Sequence, residues 1–171
     1  SFSPFESEFV EIESVKSVAG GSVLGLKQAL KHYHFGGADP GRPSAANYRA
    51  TSATNFGVDE RSEVGLISRN IVLTAATPDA KLAPDDPTLH WGGEIRFTAG
   101  FAEASVQGVE MEKFGKARLG SYPIHFHMAG DISKSRELID SNSIHHSYNK
   151  CVTLHATSQV SITNNVCARA V

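Results

Sequence analysis

The feature that most constrains this chain is a recurrence of short alternating segments. Ile95-Arg96-Phe97-Thr98, Ile124-His125-Phe126-His127 and Val152-Thr153-Leu154-His155 superimpose residue for residue, with starts 29 and 28 residues apart. A second set places a small or turn-tolerant residue before an aliphatic one: Arg69-Asn70-Ile71, Gln107-Gly108-Val109, Asn142-Ser143-Ile144 and Asn164-Asn165-Val166. The step from the first set to the second is 14, 20 and 14 residues, which implies a six-residue insertion within Ala129 to Asp140. Units of about 20–30 residues built of short strands and punctuated by turn residues indicate stacked coils rather than reversing hairpins. A β-sandwich would also show short strands, but two-residue Asn-Gly or Asp-Gly hairpin turns are missing. The expectation is therefore an all-β fold, a right-handed parallel β-helix.

Coil stacking turns sequence spacing into geometry. Equivalent residues form columns about 4.8 Å apart, and alternation sends neighbouring side chains to opposite faces. Ile124, Phe126, Val152 and Leu154 then point inward. Arg96, His125 and Thr153 form one outward column, and Thr98, His127 and His155 form the next. By the same overlay Glu110 follows Val109 as His145 follows Ile144, so those two are expected to be column neighbours. Asn70 and Asn165 are expected at the bends, where left-handed backbone and side-chain hydrogen bonding favour asparagine.

The rest of the chain is less regular. Residues 1–35 carry spaced apolar positions (Phe9, Ile12, Val15, Val18) and a stretch, Leu24 to Tyr33, that reads equally as helix or strand. These residues form N-terminal strands or a cap. Residues 36–60, rich in Gly, Pro, Ser, Ala and Asn, read as a long surface loop. The coils occupy 63–171, and the whole is expected to be one domain, 1–171. Because it begins at Ser1 and stops after a strand-like stretch, the chain is expected to be part of a longer one with flanking domains.

Composition excludes several classes. A net charge of −2 provides no basic field for nucleic acid, and no apolar run is long enough to span a bilayer. Two cysteines, Cys151 and Cys167, are too few for a disulfide scaffold and lack zinc-motif spacing. They are expected to point outward at different corners of one coil, with pairing between them doubtful.

Tyr122 to Gly130 (YPIHFHMAG), Ser143 to Ser147 (SIHHS), Cys151 to His155 (CVTLH) and Glu63 to Val72 (EVGLISRNIV) together resemble an extracellular family. It is the family of the cell migration-inducing hyaluronan-binding protein, the cell-surface hyaluronidase transmembrane protein 2 and fibrocystin-L. The resemblance runs with gaps from about Leu24 to Val171. It implies a right-handed parallel β-helix at the cell surface or outside the cell, and hyaluronan depolymerisation in some members but not in those of fibrocystin type. The motif positions it carries over are His125, His127, His145, His146 and His155.

The chemistry expected of these residues is as follows. His125, His127 and His155 could act as general acid and base near neutral pH, because imidazole titrates there. They could instead hold a divalent metal through three nitrogens, or simply stack as a stabilising ladder. No cofactor is established by the residues. Asp131, at the start of the insertion, is a candidate carboxylate for glycosidic cleavage. Arg96 could meet a uronate carboxylate or pair with Glu94 or Glu110. Glu110, His145, His146 and Trp91 complete the candidate sugar contacts, with Trp91 either a stacking platform or a cap. His32 and His34 alternate but lack a third partner. The function expected is glycan binding, with an acidic polysaccharide as partner and hydrolysis through the histidine face. The alternative is a noncatalytic structural or adhesion module.

Overall fold

The computed structural model describes residues 6–34, 36, 62–76 and 90–170, which form strands and no α-helix. All of the expected loop at 36–60 except Gly36 lies outside the described residues. The chain divides into two compact units, Ser1–Val64 and Gly65–Val171.

In the first unit, β1 (Ile12–Val18) and β2 (Gly21–Leu26) form an antiparallel hairpin closed at Gly20, whose φ of +82° suits glycine. Leu24 to Tyr33 is thus strand at its start, and it contains no helix. Glu8 ties down the segment after the hairpin. Its carboxylate accepts the Lys31 and His32 amides and meets His34 Nε2 at 3.0 Å. The Lys31 amide, then His34 and the His32 amide, hold the Glu8 pKa down at about 2. His34 therefore has a carboxylate partner that the alternation of His32 and His34 did not suggest.

The second unit contains β3 (Ile71–Thr74), β4 (Ile95–Thr98), β5 (Glu103–Gln107), β6 (Val109–Glu112), β7 (Ile124–Asp131), β8 (Arg136–Asp140), β9 (Ser143–His145), β10 (Val152–Ser158), β11 (Ile162–Thr163) and β12 (Val166–Ala168). They form three sheets, ordered β10-β7-β4, β11-β8-β5 and β12-β9-β6-β3, and every pairing is parallel. From β4 onward the chain visits the three sheets in the same order three times. This arrangement is consistent with a β-helix.

The expected columns are present in the first sheet. Arg96, His125 and Thr153 are register partners, as are Thr98, His127 and His155. Ile124 and Phe126 are fully buried, and the Phe126 ring stacks on Phe97 at 4.8 Å. Met111, Ile139 and Ile144 complete the centre of the core. Leu154 lies in the same column as Phe126 but is 44% exposed.

The overlay of the second set is corrected by register. Ile144 pairs with Met111, not Val109, and Cys167 rather than Val166 lies opposite Ile144. Counted along these partners, the middle coil carries four more residues than the first and five more than the third, not six. The extra residues precede β8, within the expected span. Val109 and Met111 are two residues apart on one face, so the slip at β6 preserves the apolar pattern and the sequence does not reveal it, whereas the offset at β12 is one residue and exchanges the faces of Val166 and Cys167 relative to the overlay.

Left-handed corners also fall in columns. Gly108, Ser141 and Asn164 have φ of +62°, +57° and +53°, and Lys113, His146 and Arg169 have +59°, +48° and +48°. Asn164, not Asn165 or Asn70, is the left-handed residue. Asn165 instead stacks against Asn142. Asn142 Nδ2 donates to Asn165 Oδ1 at 2.9 Å and to Val106 O at 2.8 Å, and Asn142 Oδ1 accepts Val109 N–H at 3.0 Å.

Cys151 and Cys167 form a disulfide, with Cα atoms 6.1 Å apart. The pairing held doubtful from the sequence is thus present, and of the two cysteines expected to point outward Cys151 is buried; Cys167 lies in register with Met111 and Ile144. Cys151, just before β10, is buried at 6% exposure, whereas Cys167 on β12 stays exposed while bonded to it.

Candidate functional site

Strand β7 presents His125 and His127 on the face opposite Ile124 and Phe126, and β10 adds His155 beside His127. One ring nitrogen from each of the three histidines lies within 4.8 Å of the others. His127 Nδ1 and His155 Nδ1 are 3.2 Å apart, and the His125 ring meets the edge of the His127 ring at a centroid distance of 4.9 Å. Access differs across the cluster. His155 is exposed, His127 is intermediate, and His125 is 1% exposed beneath its neighbours. Tyr122 packs edge-on against the His125 ring at 4.9 Å, and Glu94 Oε1 lies 3.4 Å from its Nδ1.

Arg96 is held by Glu94. Its Nε donates to Glu94 Oε1 at 2.7 Å and its Nη2 to Gly120 O at 2.9 Å. Of the two partners considered for Arg96, Glu94 is the one it has. The same carboxylate therefore serves both Arg96 and His125. Glu94 lies just before β4, outside the strand alternation, and only its proximity to Arg96 pointed to it. His125 Nε2 and Thr153 Oγ1, from adjacent members of one column, are buried without a hydrogen-bond partner among the described residues. Buried polar atoms of this kind are ordinarily satisfied by an ordered water.

Burial holds the His125 imidazole below its ordinary range, with Arg96 and His127 adding to the shift and Glu94 opposing it. An imidazole whose pKa is lower folded than unfolded binds more protons when unfolded. Its contribution to stability is complete above the unfolded value of 6.5 and is lost as pH falls through the folded one. The thermal midpoint is expected to fall from about pH 7.5 to about pH 5.5, and His125→Gln to flatten part of that slope. A slope unchanged by the substitution would assign the titration elsewhere.

The other candidates fall in different places. Asp131 ends β7 opposite Ser158, and its carboxylate accepts the Ser133 amide at 2.9 Å, which with the Ser133 side chain lowers its pKa. Trp91 is half exposed, with Lys116 Nζ 5.3 Å from its ring centroid, and bridges to Lys116 through the backbone. Gly92, beside it, approaches the Lys113 carbonyl so closely that a Cβ would lie 1.8 Å from the oxygen. Glu110 and His145 are not column neighbours, since Glu110 stands opposite Ser143 and Glu112 opposite His145. They still meet diagonally, with His145 Nε2 3.1 Å from Glu110 Oε1. His146 follows at the corner, its pKa lowered first by burial and then by the His145 and Arg169 charges. These residues lie on the β6–β9 sheet, apart from His125. A shallow groove of about 350 Å³ lies on the sheet of β5 and β8, lined by Glu103, Ser105, Gln107, Ser135, Arg136 and Glu137 among others. None of the histidines lines it.

The human cell migration-inducing and hyaluronan-binding protein is 40% identical over 116 residues, 60% of this chain and 8% of that protein. Human cell surface hyaluronidase CEMIP2 is 33% identical over 119 residues, 64% of this chain and 9% of that protein. A G8 domain-containing protein of Dictyostelium discoideum is 31% identical over 162 residues, 94% of this chain and 11% of that protein. The chain thus spans about a tenth of the length of these relatives. The family model described as CEMIP beta-helix matches residues 90–171, the stretch that carries strands β4 to β12 and the three-histidine cluster, so these residues are a CEMIP β-helix domain.

Proposed function

We propose that this chain is a glycan-binding segment of a cell-surface or extracellular protein, built as a right-handed parallel β-helix, that acts on an acidic polysaccharide of the hyaluronan type. The observation that carries the reading is the convergence of His125, His127 and His155 on one outward face. Parallel strands joined by crossovers are right-handed in about 98% of cases, which supports the handedness. A disulfide in a chain with two cysteines suits an oxidising compartment. The names of the human relatives, hyaluronan-binding protein and cell surface hyaluronidase, support the substrate class.

In this reading His127 and His155 meet the sugar, one imidazole donating a proton while its neighbour accepts one. His125, buried with Glu94 at Nδ1, positions the other two. Arg96 extends the site towards a uronate carboxylate. Asp131, its carboxylate held by the Ser133 amide at the end of β7, ranks below Glu94, whose Oε1 lies 3.4 Å from His125 Nδ1. A structural or adhesion role is the second reading, favoured by the burial of His125.

Size-exclusion profiles of fluorescent hyaluronan, incubated with the protein and with its His127→Ala/His155→Ala variant, separate the readings. Chain shortening by the parent that falls at least about a hundredfold in the variant is expected if these imidazoles do acid–base work. Retention of hyaluronan without shortening, lost in the variant, would reduce the site to binding. No shortening or retention by either protein would sink the glycan reading and leave the structural one.

A further inference from the structure

The histidines at the end of β9 converge on a carboxylate of their own. Glu112 stands opposite His145, and one oxygen of Glu112 and one ring nitrogen each of His145 and His146 lie within 4.8 Å of one another. A further contact selects the nitrogen that His145 turns to that point. With Nε2 3.1 Å from Glu110 Oε1, the ring proton belongs on Nε2 and the lone pair stays on Nδ1. Glu110 is itself fixed, accepting the Arg69 amide through Oε2 at 3.0 Å. His145 Nδ1 then faces His146 Nδ1 at 2.8 Å. A carboxylate behind one nitrogen, with the other turned to further donors, is the arrangement recurrently found around metal-ligating histidines.

We propose that Glu112, His145 and His146 form a binding site for a divalent transition-metal ion of zinc type, with Glu110 as the residue that positions His145. Two imidazoles and one carboxylate leave the fourth tetrahedral position open. The nitrogen donors select against calcium and magnesium, which take oxygen ligands. An ion bonded to both nitrogens at about 2.0–2.1 Å holds them roughly 3.3 Å apart. Binding therefore parts the two rings by about half an ångström from their 2.8 Å separation. Because Glu112 and His145 belong to adjacent coils, the ion ties β6 to β9 at the left-handed corner formed by Lys113 and His146. This site lies on a different sheet from His125 and stands or falls apart from the glycan reading.

The test is zinc titration by calorimetry of metal-free protein carrying His127→Gln/His155→Gln, which disables the other histidine cluster. One equivalent of zinc is expected, with affinity lowered at least about tenfold by Glu112→Gln or His146→Gln, and about 10–100-fold by Glu110→Gln, which keeps all three ligands. Absence of zinc binding, or binding indifferent to Glu112→Gln and His146→Gln, would overturn the proposal. If His146→Gln fails to fold, Glu112→Gln and the visible absorption of bound cobalt(II) decide. Tetrahedral nitrogen–oxygen bands that vanish with Glu112→Gln support the site, and bands unaffected by it refute it.

Discussion

Asn142→Ala is expected to lower unfolding stability by about 3 kcal/mol, because it strands polar groups that the core cannot hydrate. The side chain is fully buried and accepts Val109 N–H while donating to Val106 O and Asn165 Oδ1. Each buried group left without a partner costs about 1–3 kcal/mol, and the ladder loses its mutual polarisation as well. Asn165 partly compensates, since its Oδ1 still accepts the Asn142 main-chain amide and its Nδ2 donates to Ile139 O. Urea unfolding with an unchanged denaturant slope would read the loss directly. A change below about 0.5 kcal/mol would mean that the stacked coils adjust around the gap.

The second large effect is expected at the disulfide. Cys151 and Cys167 are 16 residues apart, and a closed loop of that size restricts the unfolded chain by about 3 kcal/mol in the entropic account. Cys151→Ser/Cys167→Ser is expected to cost about 2–3 kcal/mol, and reduction of the parent to cost a similar amount. The bond closes the coil of β10 to β12, whose apolar residues are less covered than those of β7 to β9: Leu154 and Ile162 remain 44% and 40% exposed, whereas Phe126 and Ile139 are fully buried. Denaturation profiles that superimpose with and without reductant would show that packing alone holds this coil.

These two residue sets mark the boundary between local and tertiary information. Alternation within Ile95 to Thr98, Ile124 to His127 and Val152 to His155, with their spacing, determined the columns of the first sheet and hence the meeting of His125, His127 and His155. Local pattern suffices there because both strand periodicity and coil length are written in the residue order. It did not determine the register of the sheet built from β6, β9 and β12. At β6 a slip of two residues keeps Val109 and Met111 on one face, so Glu112 stayed hidden behind Glu110 as the partner of His145, and at β12 the offset of one residue depends on how the preceding corner is turned. Nor did it reveal that Glu94 serves His125 and Arg96 together, or that Tyr122 covers His125, since both lie outside the strand alternation.

The cysteines show the same division. Spacing along the chain says nothing of distance across a coil, and only closure of the three-sided circuit brought Cys167 to Cys151. The strands of the first sheet, the inward faces of Ile124 and Phe126 and the first histidine column were thus determined by the sequence itself, through the period-two geometry of extended backbone, whereas the strands β5, β8 and β11 were not. The register of the sheet of β6, β9 and β12, the asparagine ladder, the disulfide and the carboxylates behind the histidines were decided by tertiary structure, because each depends on how many residues turn each corner. That number changes from coil to coil.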